Sequence, residues 1–163
     1  MKKFLRLLIF PIYNFYYGAS FRVSSYLKLI LFFKNTNLKA ALFLSNRLQK
    51  TQGVFVSPHA TFDNSLTLKH PIGIVIGEGV TIGANVTIYQ NVTIGGARIG
   101  DAKANHYPTI GKNTVIFSGA AIIGKVNIGD NCVIGANSVV TTDIPDNSVA
   151  VGAPAKIVNK GAK

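Results

Sequence analysis

The stretch "VIGEGVTIGANVTIYQNVTIGG" (residues 75–96) repeats a six-residue unit built around one branched apolar residue, which glycine usually follows. The step of six carries Ile76, Ile82, Ile88 and Ile94, and later Ile110, Ile116, Ile122, Ile128, Ile134 and Val140. A weaker earlier phase runs through Val56, Phe62 and Leu68. An α-helix has a period of 3.6 residues and a half-buried strand alternates every two, so neither explains a sustained period of six.

A six-residue period does follow if short strands meet at tight corners, with one branched side chain pointing inward on each side. Three sides then close one coil of a triangular parallel β-helix, and the inward residues of successive coils stack into a continuous core. Gly and Asn suit the corners because they adopt backbone angles that other residues resist. The sequence therefore predicts an all-β, left-handed parallel β-helix with a short α-helical N-terminal segment. Cys132, next to the Ile128 repeat, is expected to be small apolar filler.

Charge is distributed unevenly along the chain, whose formal net charge is +11. Residues 1–62 contain nine Lys and Arg residues and no Asp or Glu. These cations alternate with Phe, Leu, Ile and Tyr, a mixture that suits an anionic membrane surface better than nucleic acid. The alternative is that the apolar residues pack on the rest of the protein or on a partner subunit.

Two apolar runs in the basic segment, "MKKFLRLLIFPIYNF" and "YLKLILFF", fall short of the ~20 residues that span a bilayer. The first run also lacks a clean signal-peptide cleavage site. A single cysteine is compatible with a reducing compartment. We expect a cytoplasmic protein, with peripheral contact to the inner membrane face as one use of this segment.

Helical spacing of apolar residues predicts two N-terminal helices, in "SFRVSSYLKLILFFK" and "NLKAALFLSNRLQK", joined by a turn at 35–37. Asn37 is the expected cap of the second helix. The inward positions are expected to be Val23, Tyr26, Leu27, Ile30 and Leu31, then Leu38, Ala41, Leu42 and Leu48. The predicted organisation is a basic amphipathic helical segment (1–50), a β-helix domain (51–158) and a tail (159–163). The helices would cap one end of the coil, and trimerisation would cover a flat face.

The repeat is interrupted twice, between Leu68 and Ile76 and between Gly95 and Ile110. Insertions in a solenoid are pushed onto its surface, where function concentrates. Two of the three histidines, His70 and His106, occupy these interruptions, whereas His59 lies in neither and is expected to be structural.

The residue types in the interruptions suit one kind of chemistry. A neutral imidazole can act as general base on a hydroxyl, and a backbone N–H at a glycine corner can polarise a thioester carbonyl. The chain has no nucleophile elbow, Walker-type loop, paired carboxylates or Cys/His metal spacing, and no metal is expected.

Two longer stretches carry a family resemblance: "HPIGIVIGEGVTIGANVTIYQNVTIGG" (70–96) and "HYPTIGKNTVIFSGAAIIGKVNIGDNCVIGANSVVTTDIPDNSVAVGAPAKIV" (106–158). Over about residues 54–158 the chain resembles the serine acetyltransferase group of hexapeptide acyltransferases. The resemblance implies acetyl-CoA as donor and a homotrimer with active sites between neighbouring subunits. The family's H-x-x-G-I-V-I-G-E motif places the catalytic base at His70. The second active-site histidine, which precedes a proline, corresponds to His106, although Tyr107 separates it from Pro108. The positions implied to border CoA are Gly95, Gly96, Ala97, Ser118, Ala136 and Lys156.

Three departures from the family pattern bear on the acceptor. The family's catalytic aspartate corresponds to Phe55, an arginine suited to an amino-acid carboxylate corresponds to Asn105, and the helical N-terminal part is shorter. We therefore expect an acetyl-CoA-dependent O-acetyltransferase acting on a sugar hydroxyl of a surface polysaccharide or its lipid-linked precursor, similar to bacterial sugar O-acetyltransferases. Two alternatives stay open: serine O-acetylation in cysteine biosynthesis, and a non-catalytic β-helix scaffold.

Overall fold

A computed structural model describes residues 18–98, 101–104 and 106–160 of the chain. It begins with a helical hairpin of α1 (Ala19–Phe33) and α2 (Leu38–Gln52), followed by fifteen short strands and the small helix α3 (Asp101–Ala104). Residues 1–17, the first part of the basic segment for which membrane contact and packing on the protein were the two alternatives, lie outside the described residues.

The strands form three sheets that the chain visits in turn. Sheet A contains β1 (Phe55–Val56), β4 (Val75–Ile76), β7 (Thr93–Gly95), β10 (Ala121–Ile123) and β13 (Val139–Val140). Sheet B contains β2 (Thr61–Phe62), β5 (Thr81–Ile82), β8 (Thr109–Ile110) and β11 (Asn127–Ile128). Sheet C contains β3 (Thr67–Leu68), β6 (Thr87–Ile88), β9 (Val115–Ile116), β12 (Val133–Ile134), β14 (Ser148–Val151) and β15 (Lys156–Lys160). All pairings are parallel except the terminal hairpin β14–β15. This is the predicted left-handed parallel β-helix, in which each passage through sheets A, B and C makes one coil.

The core is the stack of repeated branched residues. In sheet A, Ile76 pairs with Ile94 and Ile94 with Ile122, and all three are fully buried. Burial of each isoleucine contributes about 1.5–3 kcal/mol relative to an exposed side chain. Every coil buries the same position, so the contribution is repeated along the β-helix. Cys132 is also fully buried, with its Sγ 3.1 Å from the carbonyl oxygen of Pro145, and so packs as the filler that the sequence predicted.

The corner between sheets B and C carries an asparagine ladder. Asn85, Asn113, Asn131 and Asn147 all have φ between 55° and 57°, the left-handed region that Asn tolerates better than most residues. Each side-chain amide donates to the next asparagine at 3.1–3.2 Å, so the ladder links four coils. The corners between C and A and between A and B, called corner CA and corner AB below, hold the two interruptions of the repeat.

The helical hairpin covers the first coil. Val23, Leu27, Ile30 and Leu48 belong to the same buried cluster as the β-helix core. The side chain of Asn37 accepts a hydrogen bond from the backbone N–H of Ala40 at 3.1 Å, as expected of a helix cap. The described helices include none with both the length and the apolar character needed to cross a membrane.

Two helix positions expected to face inward do not. Leu38 and Leu42 are 42% and 41% exposed, and the buried side of α2 follows Ala41, Ser45 and Leu48 instead. The small residues let α2 approach the first coil closely enough for Ser45 Oγ to donate to the backbone carbonyl of β1 at 2.6 Å. A larger side chain at these positions would prevent that contact.

Candidate active site

The first interruption makes corner CA bulge, and His70 lies on the bulge. Its φ of 48° is in the left-handed region, which few residues other than Gly, Asn, Asp and His adopt and which occurs often at functional sites. The residue is exposed, while the adjacent Pro71 is buried and holds the bulge against the coil. The structure thus presents the imidazole at the surface on a fixed backbone.

A row of rings runs from His70 along the sheet C side of corner CA. The ring centroid of Tyr89 lies 6.3 Å from that of His70, and Tyr89 stacks on Phe117 with a centroid distance of 5.1 Å. The two aromatic residues follow Ile88 and Ile116 in successive coils, so the parallel register brings them together. The histidine therefore has an apolar wall on one side.

His70 also lines a cleft of about 780 Å³. Its walls come from the bulge, from the start of α1 at Ser20 and from the end of α2 at Gln52 and Gly53. Sequence reasoning missed this contribution of the helices, because nothing in their amphipathic pattern shows which part of the coil they approach.

The second interruption forms the loop 96–108 at corner AB, and one carboxylate organises it. Asp101 Oδ2 accepts hydrogen bonds from the backbone N–H groups of Ala97 at 2.6 Å and Arg98 at 2.7 Å. Its Oδ1 lies 3.6 Å from Nδ1 of His106, whose backbone N–H donates to the Asp101 carbonyl at 3.0 Å. The bond from the Arg98 amide holds the pKa of Asp101 below its usual value; partial burial opposes this, while the Ala97 amide and the imidazole add to it.

Tyr107 anchors the same loop to the coil. Its ring lies over Gly79, where φ is 71° and a Cβ would come 2.3 Å from Tyr107 Cδ2, so only glycine fits there. Burial raises the pKa of the Tyr107 hydroxyl, and the negative charges of Glu78 and Asp101 act in the same direction. Because Tyr107 directly precedes Pro108 and packs inward, the half-exposed His106 stands one residue before the position that the family pattern assigns to a histidine.

Asp101 and Tyr107 are site residues that sequence reasoning missed. One signal was present, since Asp101 is the only acidic residue in the second interruption. Its significance depends on the fold of the loop, which brings together groups that are three to five residues apart without any regular period.

A pocket of about 350 Å³ adjoins this loop. It is lined by Ala97, Arg98, Asp101, His106, Lys125 and Thr141, among others. Arg98 and Lys125 supply two positive charges beside the imidazole, and Lys125 is exposed at the adjacent coil of corner AB. The pocket can therefore attract an anionic group next to His106.

The structure separates the predicted site residues into two half-sites. His70, Ser118 and Ala136 lie at corner CA in different coils, with Lys156 beyond them in the terminal hairpin. Gly95, Gly96 and Ala97 lie at corner AB with His106. The two histidines thus lie at different corners of the coil and in different coils. They would come together if corner CA of one copy faced corner AB of another.

One of the predicted departures from the family pattern has a place in the structure. Phe55 lies in β1, paired with Val75 and half-buried, so the position of the family's aspartate carries no carboxylate. Asn105 lies outside the described residues. Among the described side chains there is no cluster of three His, Cys, Asp or Glu that could hold a metal ion.

Comparisons with known proteins agree on one group. A family model described as bacterial transferase hexapeptide (six repeats) matches residues 107–142, and one described as hexapeptide repeat of succinyl-transferase matches residues 64–90. A serine acetyltransferase of Helicobacter pylori is 42% identical over 117 residues, which are 72% of this chain and 67% of that protein. One from Buchnera aphidicola is 39% identical over 148 residues, covering 90% of this chain and 52% of the relative.

Solved structures point the same way. A serine acetyltransferase in complex with CoA is 34% identical, with a TM-score of 0.77, over 87% of this chain and 58% of that one. The Neisseria gonorrhoeae serine acetyltransferase in complex with serine is 34% identical, with a TM-score of 0.78, over 88% of this chain and 58% of that one. The chain thus spans little more than half the length of several of these proteins.

These findings contradict the prediction of a saccharide acceptor. Both the curated relatives and the solved structures are serine acetyltransferases, the function that sequence analysis had kept as its alternative. The error came from interpreting Phe55 and Asn105 as the loss of two charged groups that serine acetylation needs. The sequence did not show which charged groups the second interruption brings together. The chain belongs to the serine acetyltransferase group of the hexapeptide-repeat acyltransferases.

Proposed function

We propose that the protein is an acetyl-CoA-dependent O-acetyltransferase whose acceptor is the hydroxyl of serine. The observation that carries the proposal is the pocket beside His106, where Arg98 and Lys125 offer positive charge to a carboxylate. An amino-acid acceptor needs such a partner, and a guanidinium suits a carboxylate best. Arg98 thereby takes the place of the arginine that the family pattern has at the position of Asn105.

Corner CA suits the donor. Its positions His70, Ser118, Ala136 and Lys156 follow one another from the first coil to the terminal hairpin. His70 follows β3 and Lys156 lies in β15, five strand spacings away in sheet C. At ~4.8 Å per spacing the path is roughly 24 Å long, which leaves room for an extended pantetheine arm with the CoA phosphates near the lysine. Small side chains at Ser118 and Ala136 leave room for the arm.

The reaction we infer is direct transfer between the two half-sites. Neutral His70 takes the proton of the serine hydroxyl as that oxygen attacks the thioester carbonyl. The C–S bond then breaks, and the CoA thiolate leaves and takes the proton from the imidazolium. The backbone N–H of Gly96 on the neighbouring copy stabilises the oxyanion, because those of Ala97 and Arg98 are bound by Asp101.

A homotrimer completes the sites. Cyclic packing with corner CA of each copy against corner AB of the next would give three equivalent sites, each with one His70 and one His106. The separation of the two half-sites on the single chain supports this arrangement.

The test is thiol release from acetyl-CoA by purified protein with L-serine as acceptor. We expect release with serine and its loss by on the order of 10²–10⁴-fold in His70→Ala. Arg98→Gln should raise KM for serine and leave KM for acetyl-CoA nearly unchanged, and Lys112→Gln, which removes a charge outside the pocket, serves as its control. Release with no serine dependence, or unchanged activity in His70→Ala, would refute the proposal.

A second proposal concerns the location of the enzyme in the cell. The exposed face of α2 combines Phe43, which is 65% exposed, with Lys39, Arg47 and Lys50. These residues share one side of the helix, and no acidic residue occurs before Asp63 to balance their charge. We propose that this face contacts the anionic cytoplasmic leaflet, where each basic residue contributes about 1 kcal/mol.

Sedimentation with vesicles tests the contact. We expect binding to phosphatidylglycerol-containing vesicles, weaker binding to pure phosphatidylcholine, and loss of binding in a Lys39→Gln, Arg47→Gln, Lys50→Gln variant. A variant with the same net charge, Lys112→Gln with Thr142→Asp and Asn159→Asp, should still bind. Equal binding by both variants, or none by the wild type, would reject the contact.

A further inference from the structure

Asp101 connects two parts of the corner AB half-site. One carboxylate oxygen binds the amides of Ala97 and Arg98, and the other faces Nδ1 of His106 at 3.6 Å. The backbone joins them a second time, because the Asp101 N–H donates to the Arg98 carbonyl at 3.2 Å and its carbonyl accepts from His106. Asp101 therefore binds the turn 96–98 directly and lies at ion-pair distance from the imidazole.

The neighbouring backbone leaves space for the carboxylate. A Cβ on Gly96 would come 3.0 Å from Asp101 Cβ and 3.2 Å from its Oδ2. Contacts this short are rare for real side chains, so a glycine lets the carboxylate reach the turn. The Asp101 side chain is only 12% exposed, compared with 48% for His106.

We propose that Asp101 is a positioning residue that shapes the 96–98 turn and holds His106 as the Nδ1–H tautomer, so that Nε2 accepts a hydrogen bond from the acceptor. A carboxylate beside one ring nitrogen fixes the proton there and leaves the lone pair on the other. The Oδ1–Nδ1 separation is longer than a hydrogen bond, as in many ligand-free sites whose contacts shorten when substrate binds. Only the identity of the acceptor rests on the proposed function.

The role assigned to Asp101 also bears on Phe55, which stands where the family has an aspartate. In the family resemblance the orienting carboxylate belongs to the first histidine, and Phe55 removes it. Here the only histidine with a carboxylate at ion-pair distance, within the described residues, is His106. The orienting role is therefore retained on the opposite half-site.

An isosteric variant separates the two duties of Asp101. In Asp101→Asn the remaining side-chain oxygen can still accept from Ala97 and Arg98, which leaves the NH₂ group facing His106 Nδ1. The NH₂ group requires a lone pair on Nδ1, so the imidazole proton moves to Nε2. Nε2 can then no longer accept a hydrogen bond from the substrate that receives the acetyl group. Asp101→Ala instead removes both the turn contacts and the tautomer control.

Nitrogen NMR of histidine-labelled protein at a pH of about 9, where imidazoles are neutral, reports the tautomer directly. We expect Nδ1–H at His106 in the wild type and Nε2–H in Asp101→Asn, with the resonance assigned by its loss in His106→Gln. An Nε2–H tautomer in the wild type, or the same tautomer in both proteins, would overturn the proposal. The spectrum requires no turnover, so it stands even if serine proves not to be the acceptor.

Kinetics gives a second readout. One misdirected hydrogen bond should lower kcat/KM for the acceptor about 10- to 100-fold in Asp101→Asn, while KM for acetyl-CoA stays within roughly twofold. Asp101→Ala should raise both KM values because the turn relaxes. If Asp101→Asn and Asp101→Ala behave alike, Asp101 acts only on the turn and the tautomer role is wrong.

Discussion

Mixing two inactive variants should restore activity, because the structure places His70 and His106 at different corners. In His70→Ala the corner CA half-site is damaged and corner AB is intact, while in His106→Ala the reverse holds. A shared site in a cyclic assembly takes one corner from each of two neighbours. One fully intact site therefore forms wherever corner CA of a His106→Ala copy faces corner AB of a His70→Ala copy.

The recovered activity has a calculable size. Each variant alone should lose on the order of 10²–10⁴-fold in rate. In randomly mixed trimers about one neighbour pair in four combines both intact histidines, so about a quarter of wild-type activity should return. As a control, wild type mixed with the variant that carries both substitutions should also retain about a quarter of wild-type activity. If each site lay within a single chain, that mixture would retain about half.

The assay is thiol release by trimers assembled from co-expressed variants, with native mass spectrometry to establish that the copies have mixed. Recovery to about a quarter supports sites between copies. Verified mixed trimers with no more activity than the separate variants, or a wild-type mixture that retains half, would refute the half-site reasoning.

Three further outcomes concern the coil itself. Gly111→Ala should lower the free energy of unfolding by about 1–3 kcal/mol, because its Cβ would lie 2.4 Å from the backbone carbon of Gly129. Gly95→Ala, which meets nothing within 4 Å, should change it by less than about 0.5 kcal/mol, and similar losses in urea unfolding would contradict the argument. Asn131→Ala should cost about 1–2 kcal/mol because φ is 55°, whereas Asn131→Gly keeps that angle at no steric cost; calorimetry should find the glycine variant the more stable. Cys132 should react with a maleimide only as the protein unfolds, because burial raises its pKa and shields the thiol; rapid labelling of the folded protein would show that the coil opens there.

Much of the fold was predictable because it is periodic. A branched residue every sixth position can be buried in every coil by only a few architectures, and glycine and asparagine mark its corners. The two breaks in that period correctly located His70 and His106 on the surface. The period also separates the two breaks, because the four six-residue sides between them make one coil and one further side. The same pattern could not reveal which groups each loop brings together, since that depends on the irregular backbone of the loop.

The acceptor was mispredicted for a related reason. Phe55 and Asn105 were compared position by position with a family pattern, and each comparison suggested that a charged group had been lost. In the folded chain Arg98 and Lys125 line the pocket beside His106, and Asp101 supplies the carboxylate. Replacement charges can come from any residue that reaches the same space, so a single aligned position cannot show that a charge is missing.

The sequence by itself therefore determined the coil, its core and the two surface loops, because burial of a repeated apolar residue is a local rule applied many times. Tertiary structure alone decided that Asp101 binds the turn and faces His106, and that Tyr107 packs on Gly79. Those contacts are made once, by an irregular backbone, and no period in the sequence encodes them.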